Sequence, residues 1–220
     1  MSTPLYVRQL KLGPMDNFVY LVGAKDAEEV VVVDPAWDVD AIERAAAEDG
    51  KRIVGAFVSH SHGDHINGLP VLLKRHDVPV WVQRAELDFS PELRKMAGDA
   101  ARPLGPGGTF DIGPLRAKAL HTPGHTPGSQ TLWVDDAVAS GDTVFVQGCG
   151  RCDLRGGDPE AMYRTITGVL MKLPDETRLL PGHDYGDVPI SSLGREKAQN
   201  PYFQFPDLAS FVAYRMRPRR

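Results

Sequence analysis

Ser59-His60-Ser61-His62-Gly63-Asp64-His65 decides how this chain is read. It sets three imidazoles and a carboxylate between positions 60 and 65, directly behind Ile53-Val54-Gly55-Ala56-Phe57-Val58. That apolar, β-rich run reads as a buried strand. His60 and His62 are two residues apart, so on extended backbone their rings point the same way. Gly63 can turn the chain and aim Asp64 and His65 elsewhere. One pair can then hold a metal ion and the next pair a second ion beside it. Imidazole with carboxylate suits Zn²⁺, Fe²⁺ or Mn²⁺. A histidine-rich surface loop is the plain alternative, and so dense a cluster at the exit of an apolar strand speaks against it.

Upstream of this stretch, residues 5–10 and 17–22 read as strands joined at Gly13-Pro14, and 30–33 as a buried strand. Asp34 follows that strand at its exit, where site residues gather in α/β folds. It is placed to orient a ligand histidine from behind, with an ordinary turn aspartate as the alternative. Asp38 can cap a helix over 39–49 that ends at Gly50. Downstream, the pattern predicts a helix over 66–75, a strand over 78–82, a helix over 85–96 broken at Pro91, and a loop over 97–108. His76 lies among charges near a helix end and reads as a surface residue.

A strand over 115–120 leads into His121-Thr122-Pro123-Gly124-His125-Thr126-Pro127-Gly128-Ser129. Proline fixes φ and glycine permits tight turns, so the loop is preorganised. His125 at its centre is the better ligand candidate, while His121 closes the strand and packs or hydrogen-bonds nearby. A hairpin around Asp135-Asp136 leads to Gly141-Asp142-Thr143-Val144-Phe145, another carboxylate behind a strand. Residues 147–157 are glycine-rich. Asp158 and Pro159 open a helix over 159–170. A strand over 177–180 ends in Pro181-Gly182-His183-Asp184-Tyr185-Gly186. Helices over 191–199 and 206–214 close the chain, and the basic end 215–220 reads as a frayed tail. With no repeat and no linker, residues 1–220 read as one domain, of a size that buries its own core.

The strand ends together offer His60, His62, Asp64, His65, His125, Asp142 and His183. Five imidazoles and two carboxylates are what two divalent ions need around a bridging water.

In this order and spacing the residues resemble the metallo-β-lactamase superfamily. The pieces are His60-x-His62-x-Asp64-His65, His125 in Pro-Gly-His-Thr-Pro-Gly, Asp142 in Gly-Asp-Thr, and His183 in Pro-Gly-His-Asp-Tyr. The resemblance implies an α/β fold, an αββα sandwich of two facing mixed sheets flanked by helices. It implies that His60, His62 and His125 hold one metal, Asp64, His65 and His183 the other, and that Asp142 bridges them. Gly141 to Phe145 and Gly148-Cys149-Gly150-Arg151 are most similar to the glyoxalase II and persulfide dioxygenase branch. That likeness implies Arg151 and Tyr185 as substrate-binding residues and a packing role for Cys149. Only 35 residues follow Tyr185, fewer than the helical end of glyoxalase II, while Glu196, Asn200 and Pro201 are more similar to the dioxygenases and small hydrolases.

The expected function is therefore a glyoxalase II-type metallo-hydrolase, in which metal-bound hydroxide attacks a thioester or related acyl bond. Two Zn²⁺ ions with Asp64, Asp142 and hydroxide leave a charge of about +1, which favours anionic substrates. A thiolate leaves without a strong general acid. Asp64 can orient the nucleophile as well as ligate, and Arg151 and Arg155 can receive a substrate carboxylate. The alternative is a glutathione persulfide dioxygenase with one Fe²⁺ held by His60, His125 and Asp142, since two histidines and a carboxylate form the facial triad of non-haem oxygenases.

Composition excludes other classes. A formal net charge of −4 gives no support for nucleic-acid or anionic-membrane binding. No run reaches the ~18 apolar residues of a membrane span, and the first residues lack an apolar signal core. Two cysteines make no disulfide framework and fit a reducing, cytoplasmic setting; Cys152 has no assigned role. The partner expected is a small anionic thiol ester or thiol-derived molecule, a glutathione conjugate among them. A homodimer stays open.

Overall fold

The computed structural model describes residues 3–217. The chain begins with three strands, β1 (Leu5–Leu12), β2 (Asn17–Ala24) and β3 (Glu29–Val33), then helix α1 (Val39–Glu48) and β4 (Arg52–Phe57). Short helices α2 (Gly63–Ile66) and α3 (Leu69–Arg75) precede β5 (Val80–Gln83), α4 (Arg84–Phe89), α5 (Pro91–Ala97) and β6 (Ala101–Leu104). The second half supplies β7 (Thr109–Ile112), β8 (Leu115–His121), β9 (Gln130–Val134), β10 (Ala137–Gly141), β11 (Val144–Phe145) and β12 (Gly148–Cys149). It closes with α6 (Pro159–Gly168), β13 (Arg178–Pro181), β14 (Ser191–Ser192), α7 (Leu193–Gln199) and α8 (Leu208–Arg215).

Twelve of the strands form two mixed six-stranded sheets, ordered β1-β2-β3-β4-β5-β6 and β14-β13-β10-β9-β8-β7, and β11 pairs with β12 as a separate small hairpin. β2 shows why they stack. All eight of its residues are buried, because successive side chains point to opposite faces and both faces are covered. Val19 and Leu21 pack towards α1 and α3, with Ile42, Leu69 and Leu72. Phe18, Tyr20 and Val22 pack towards the other sheet, with Phe110, Leu132 and Ala139. A third cluster, including Val138, Met162, Ile166, Leu179 and Phe211, fills the space between the second sheet and α6 and α8. The order is helices, sheet, sheet, helices, the αββα sandwich expected from the resemblance. Each fully buried Val, Leu or Phe contributes about 1.5–3 kcal/mol, so the three clusters give the site a stiff base.

Pairing direction puts the site at one edge. β3 and β4 run parallel, with Val33 opposite Phe57, so Asp34 and the His60 stretch leave the sheet side by side. β10 and β13 are also parallel, with Gly141 opposite Pro181, so Asp142 and His183 emerge together from the other sheet. Ligands gather at the carboxyl ends of parallel strands for this reason.

Three expectations need correction. The helix expected over 66–75 is two, α2 and α3, broken at Asn67-Gly68. A Cβ on Gly68 would meet the Pro35 carbonyl at 2.9 Å, and the Asn67 side chain accepts the Trp37 N–H at 2.6 Å. The loop expected over 97–108 contains β6, which pairs in parallel with β5 at the sheet edge. Arg215, assigned to a frayed tail, belongs to α8 and is buried, donating from Nε to the Gly150 carbonyl at 2.9 Å. Residues 218–220 of that tail lie outside the described residues.

Candidate metal centre

The seven residues converge on one cluster. Atoms of His60, His62 and His125 lie within 4.8 Å of one another, as do atoms of Asp64, His65 and His183. Asp142 stands between the sets: its Oδ1 is 3.2 Å from His65 Nε2 and 3.3 Å from His183 Nε2, and its Oδ2 is 3.4 Å from His125 Nε2. Asp64 and His65 sit in the first turn of α2 rather than in a loop. A Cβ on Gly182 would come within 2.6 Å of Asp142 Oδ1, so only glycine lets the 182–183 segment approach this closely.

Each set is aimed from behind. His60 Nδ1 is 3.0 Å from Ser59 Oγ. His125 Nδ1 is 2.7 Å from the Arg151 carbonyl, and His183 Nδ1 is 2.9 Å from the Met15 carbonyl. A carbonyl only accepts, so both Nδ1 atoms carry their protons and leave Nε2 facing inward as a donor pair of electrons. His65 Nδ1 is 3.0 Å from Asp34 Oδ2. Asp34 also accepts from Ser59 N–H and Oγ–H, each at 2.6 Å, and adopts φ of +53°. Sequence placed Asp34 behind a ligand histidine, and it lies behind His65.

The inner atoms fit a cation. His62 Nδ1 faces His125 Nε2 at 2.9 Å, and His65 Nε2 faces His183 Nε2 at 3.1 Å. Two imidazole nitrogens approach this closely only with a proton or a metal between them. Four buried side-chain atoms among the described residues lack a hydrogen-bond partner, and two of them, His60 Nε2 and Asp142 Oδ1, point into this cluster. Unpaired buried polar atoms are costly; a divalent ion satisfies His60 Nε2 and also Asp142 Oδ1, which has only the His65 and His183 nitrogens at 3.2 and 3.3 Å beside it.

The two sets differ in charge. Burial, helped by His125, pushes His62 down to about 4, and burial with the neighbouring His65 holds His60 well below the ordinary imidazole value. Burial also pulls on His65 and His183, but carboxylates outweigh it. Asp142, Asp34 and Asp64 raise His65 well above normal, and Asp142 with Asp64 bring His183 to about 9. Asp64 and Asp142 lie well below the usual carboxylate range despite burial, held by His65 and His183.

Residues outside the sequence reading complete the support. Asn17 Nδ2 donates to Asp64 Oδ2 at 2.9 Å and to its carbonyl at 3.1 Å, while Trp37 Nε1 donates to Asn17 Oδ1 at 2.8 Å. Glu86, wholly buried, accepts from Ser61 and from the His125 loop. Neither belongs to a motif; a polar residue at the start of an otherwise apolar strand was the one signal for Asn17.

A cleft of about 670 Å³ opens over the cluster, with Met15, Phe145, Leu154 and Tyr202 among its walls. Tyr185 is 56 % exposed and lies flat on His183, ring centres 4.5 Å apart. Arg151 lines the cleft and is paired with Asp153 at 2.9 and 2.7 Å. Arg155 stacks instead on Phe89. His121 donates from Nε2 to the Pro127 carbonyl at 2.9 Å rather than entering the cluster. His76 bonds Glu43. Cys149 and Cys152 are both buried in the cluster beneath α6 and α8.

A sandwich of this order with a histidine–aspartate cluster at its edge defines a metallo-hydrolase type of fold. The chain belongs to the metallo-beta-lactamase superfamily, whose pattern it matches over residues 12–183. It is 31 % identical over 202 residues to the "probable polyketide biosynthesis zinc-dependent hydrolase BaeB" of Bacillus velezensis, covering 91 % of this chain and 88 % of that one. It is 36 % identical to a hydroxyacylglutathione hydrolase of Alkalilimnicola ehrlichii, over 77 % of this chain and 62 % of that protein. The crystal structure of ETHE1 from Myxococcus xanthus superposes with a TM-score of 0.86 at 30 % identity, over 97 % of this chain and 92 % of that one. No helix among the described residues is long and apolar enough to cross a membrane.

Proposed function

We propose that the chain is a two-metal hydrolase that cleaves a thioester or a related acyl bond. The observation that carries this reading is the pair of facing histidine–aspartate sets, with His60 Nε2 unpaired and the Asp142 carboxylate between them beneath a cleft. The likeness to a zinc-dependent hydrolase along most of both chains supports it.

His60, His62 and His125 would hold one divalent ion, Asp64, His65 and His183 the other, with Asp142 shared; zinc suits this donor set, and iron or manganese can take it. Bound there, such ions supply Lewis acidity and bring the pKa of water from 15.7 towards about 7. Asp64 faces the cleft and is fixed by Asn17, so its carboxylate can orient a water for attack on the acyl carbon. The C–S bond then breaks and the sulfur leaves as thiolate. Tyr185 and the apolar wall at Met15 and Phe145 flank the thiol arm. Arg151 can receive a substrate carboxylate by exchanging Asp153, because both partners are about half exposed and such pairs are worth only about 0–1 kcal/mol.

The test is hydrolysis of two thioesters by Zn²⁺-loaded protein, S-lactoylglutathione and a neutral N-acetylcysteamine ester, with Asp142→Ala as control. Turnover of either, lost in the control, is expected. No turnover of any thioester overturns the reading. The likeness to ETHE1, a name carried by persulfide dioxygenases among the relatives, favours a second one, with iron on His60, His125 and Asp142. Rapid O₂ uptake by Fe²⁺-loaded protein on adding glutathione persulfide, absent in His60→Ala, would establish it.

A further inference from the structure

We propose that Glu86 is the positioning residue of the His60/His62/His125 set, one carboxylate that locks both ligand loops of that set in register. The inference rests on the metal reading above. Glu86 lies in α4, just past β5, and is 0 % exposed. Its Oε1 accepts from Ser61 N–H at 2.8 Å and Ser61 Oγ–H at 2.6 Å. Its Oε2 accepts from Thr126 Oγ1–H at 2.8 Å and Gly128 N–H at 2.9 Å. Ser61 stands between His60 and His62, and Thr126 follows His125 directly.

The loop of Ser61 leaves β4 in the first sheet, and the loop of Thr126 leaves β8 in the second. The carboxylate therefore ties the two sheets together at the edge where the three imidazoles meet. A carboxylate offers about four acceptor positions and no donor, and four donors fill them here. The second loop is shaped for it. A Cβ on Gly128 would come within 2.1 Å of the Glu86 backbone nitrogen, and Ser129 Oγ, 2.7 Å from Thr126 Oγ1, completes the chain of hydroxyls. Glutamine in this place would turn an NH₂ towards two donors, and aspartate is one methylene too short to span both loops. Glu86 touches none of the ligating nitrogens, so it acts through Ser61 and Thr126.

The second set has other supports, Asn17 on Asp64, Asp34 on His65 and the Met15 carbonyl on His183. Loss of Glu86 should then weaken one set and spare the other. Supporting partners of this kind change metal affinity by about 10–100-fold.

The experiment is Co²⁺ titration of the full chain against a chromophoric chelator, with bound metal counted and the visible Co²⁺ bands recorded. Wild type, Glu86→Gln and Ile42→Val, a core control in α1, are compared, with thermal melts for each. Expected are two Co²⁺ per chain in wild type and control. In Glu86→Gln one site should weaken by about 10–100-fold, with altered bands, while the other keeps its affinity. Unchanged affinity and bands in a folded Glu86→Gln overturn the role of Glu86. Equal weakening of both sites overturns its restriction to one set. Absence of Co²⁺ binding in wild type overturns the metal reading and the inference with it. If Glu86→Gln does not fold, Thr126→Val removes a single donor: a several-fold weakening at the same site supports the role, and none overturns it.

Discussion

The two ligand sets share Asp142 and a cleft, yet they are built from opposite materials. His60, His62 and His125 are three imidazoles on loops from both sheets, two of them held below their ordinary value by burial. Asp64, His65 and His183 join carboxylate to imidazole, backed by Asn17 and Asp34 from the neighbouring ends of β2 and β3. In the first set burial disfavours charge on His60 and His62, and His60 Nε2 has no hydrogen-bond partner. In the second, Asp64 and Asp142 raise the proton affinity of His65 and His183 and so draw positive charge to that set. A buried carboxylate needs positive charge nearby, whether protons or a cation. Symmetry of ligand count thus hides an asymmetry of chemistry, and the variants below test whether it matters.

Asp142→Ala should have the largest effect, because its carboxylate stands between the sets, within 3.4 Å of imidazoles in each. Removing one member of a buried charged network costs about 3–5 kcal/mol, or about 10²–10⁴-fold in rate if it falls on the transition state. Loss of bound metal from both sites with activity at background is the expected result. Near-full activity would mean that the sets work independently.

Next come His62→Ala and His183→Ala, each removing one ligand from one set. In a two-metal hydrolase each should drop bound metal from about two per chain to about one, with activity lost in both. Elemental counting after chelator dialysis reads this directly. Retained activity in His183→Ala alone would mean that the second set serves charge balance, as the one-iron reading requires.

Smaller effects belong to the supports. Asp34→Asn should lower affinity at the Asp64/His65/His183 site by about 10-fold or more, with a smaller loss at the other site through the Ser59 hydroxyl that links Asp34 to His60. Asn17→Ala removes two hydrogen bonds to Asp64, one of them to the carboxylate, and such bonds are worth about 1.5–3 kcal/mol. A several-fold rise in the dissociation constant of the same site is expected. Weakening of the His60/His62/His125 site instead would show that the supports are shared.

The clustered residues were legible because side chains of this chemistry stand together in the sequence. His-x-His-x-Asp-His behind an apolar strand, and single histidines or aspartates behind three others, carry their meaning in local spacing. The supports were not, because they act across the fold. Glu86 sits 25 residues from Ser61 and 40 from Thr126, in a short helix where a glutamate reads as solvated surface. β6 was missed for a related reason. Its four residues are all partly exposed, and Pro103 reads as a loop former; the missing N–H is tolerated because β6 lies at the sheet edge. Arg215 opens a run of basic residues that composition assigns to solvent, and only the packing of α8 against α6 reveals it as buried.

Arg215→Met gives the finest test, because it reaches the first set from the far end of the chain. Arg215 holds the Gly150 carbonyl, and the next residue's carbonyl accepts from His125 Nδ1. The lost charged hydrogen bond, about 1.5–3 kcal/mol, is offset by removing Nη2, a buried donor without a partner whose cost is about 1–3 kcal/mol. Melting temperature should therefore change little, and the effect should appear in the loop. Cys152 reports on that loop. Burial pushes its thiol up to about 11 although Arg215 pulls it back, so at pH 8 only about one molecule in 10³ is thiolate, and alkylation of the folded protein should be slow. If α8 steadies the loop, Arg215→Met should label Cys152 several-fold faster and weaken metal at His60/His62/His125 a few-fold, with the second site unchanged. If the loop holds without Arg215, loss of the nearby cation raises the thiol further, and labelling should slow while both sites keep their metal. The first set would then hold its geometry without help from α8, as the second set is placed to do.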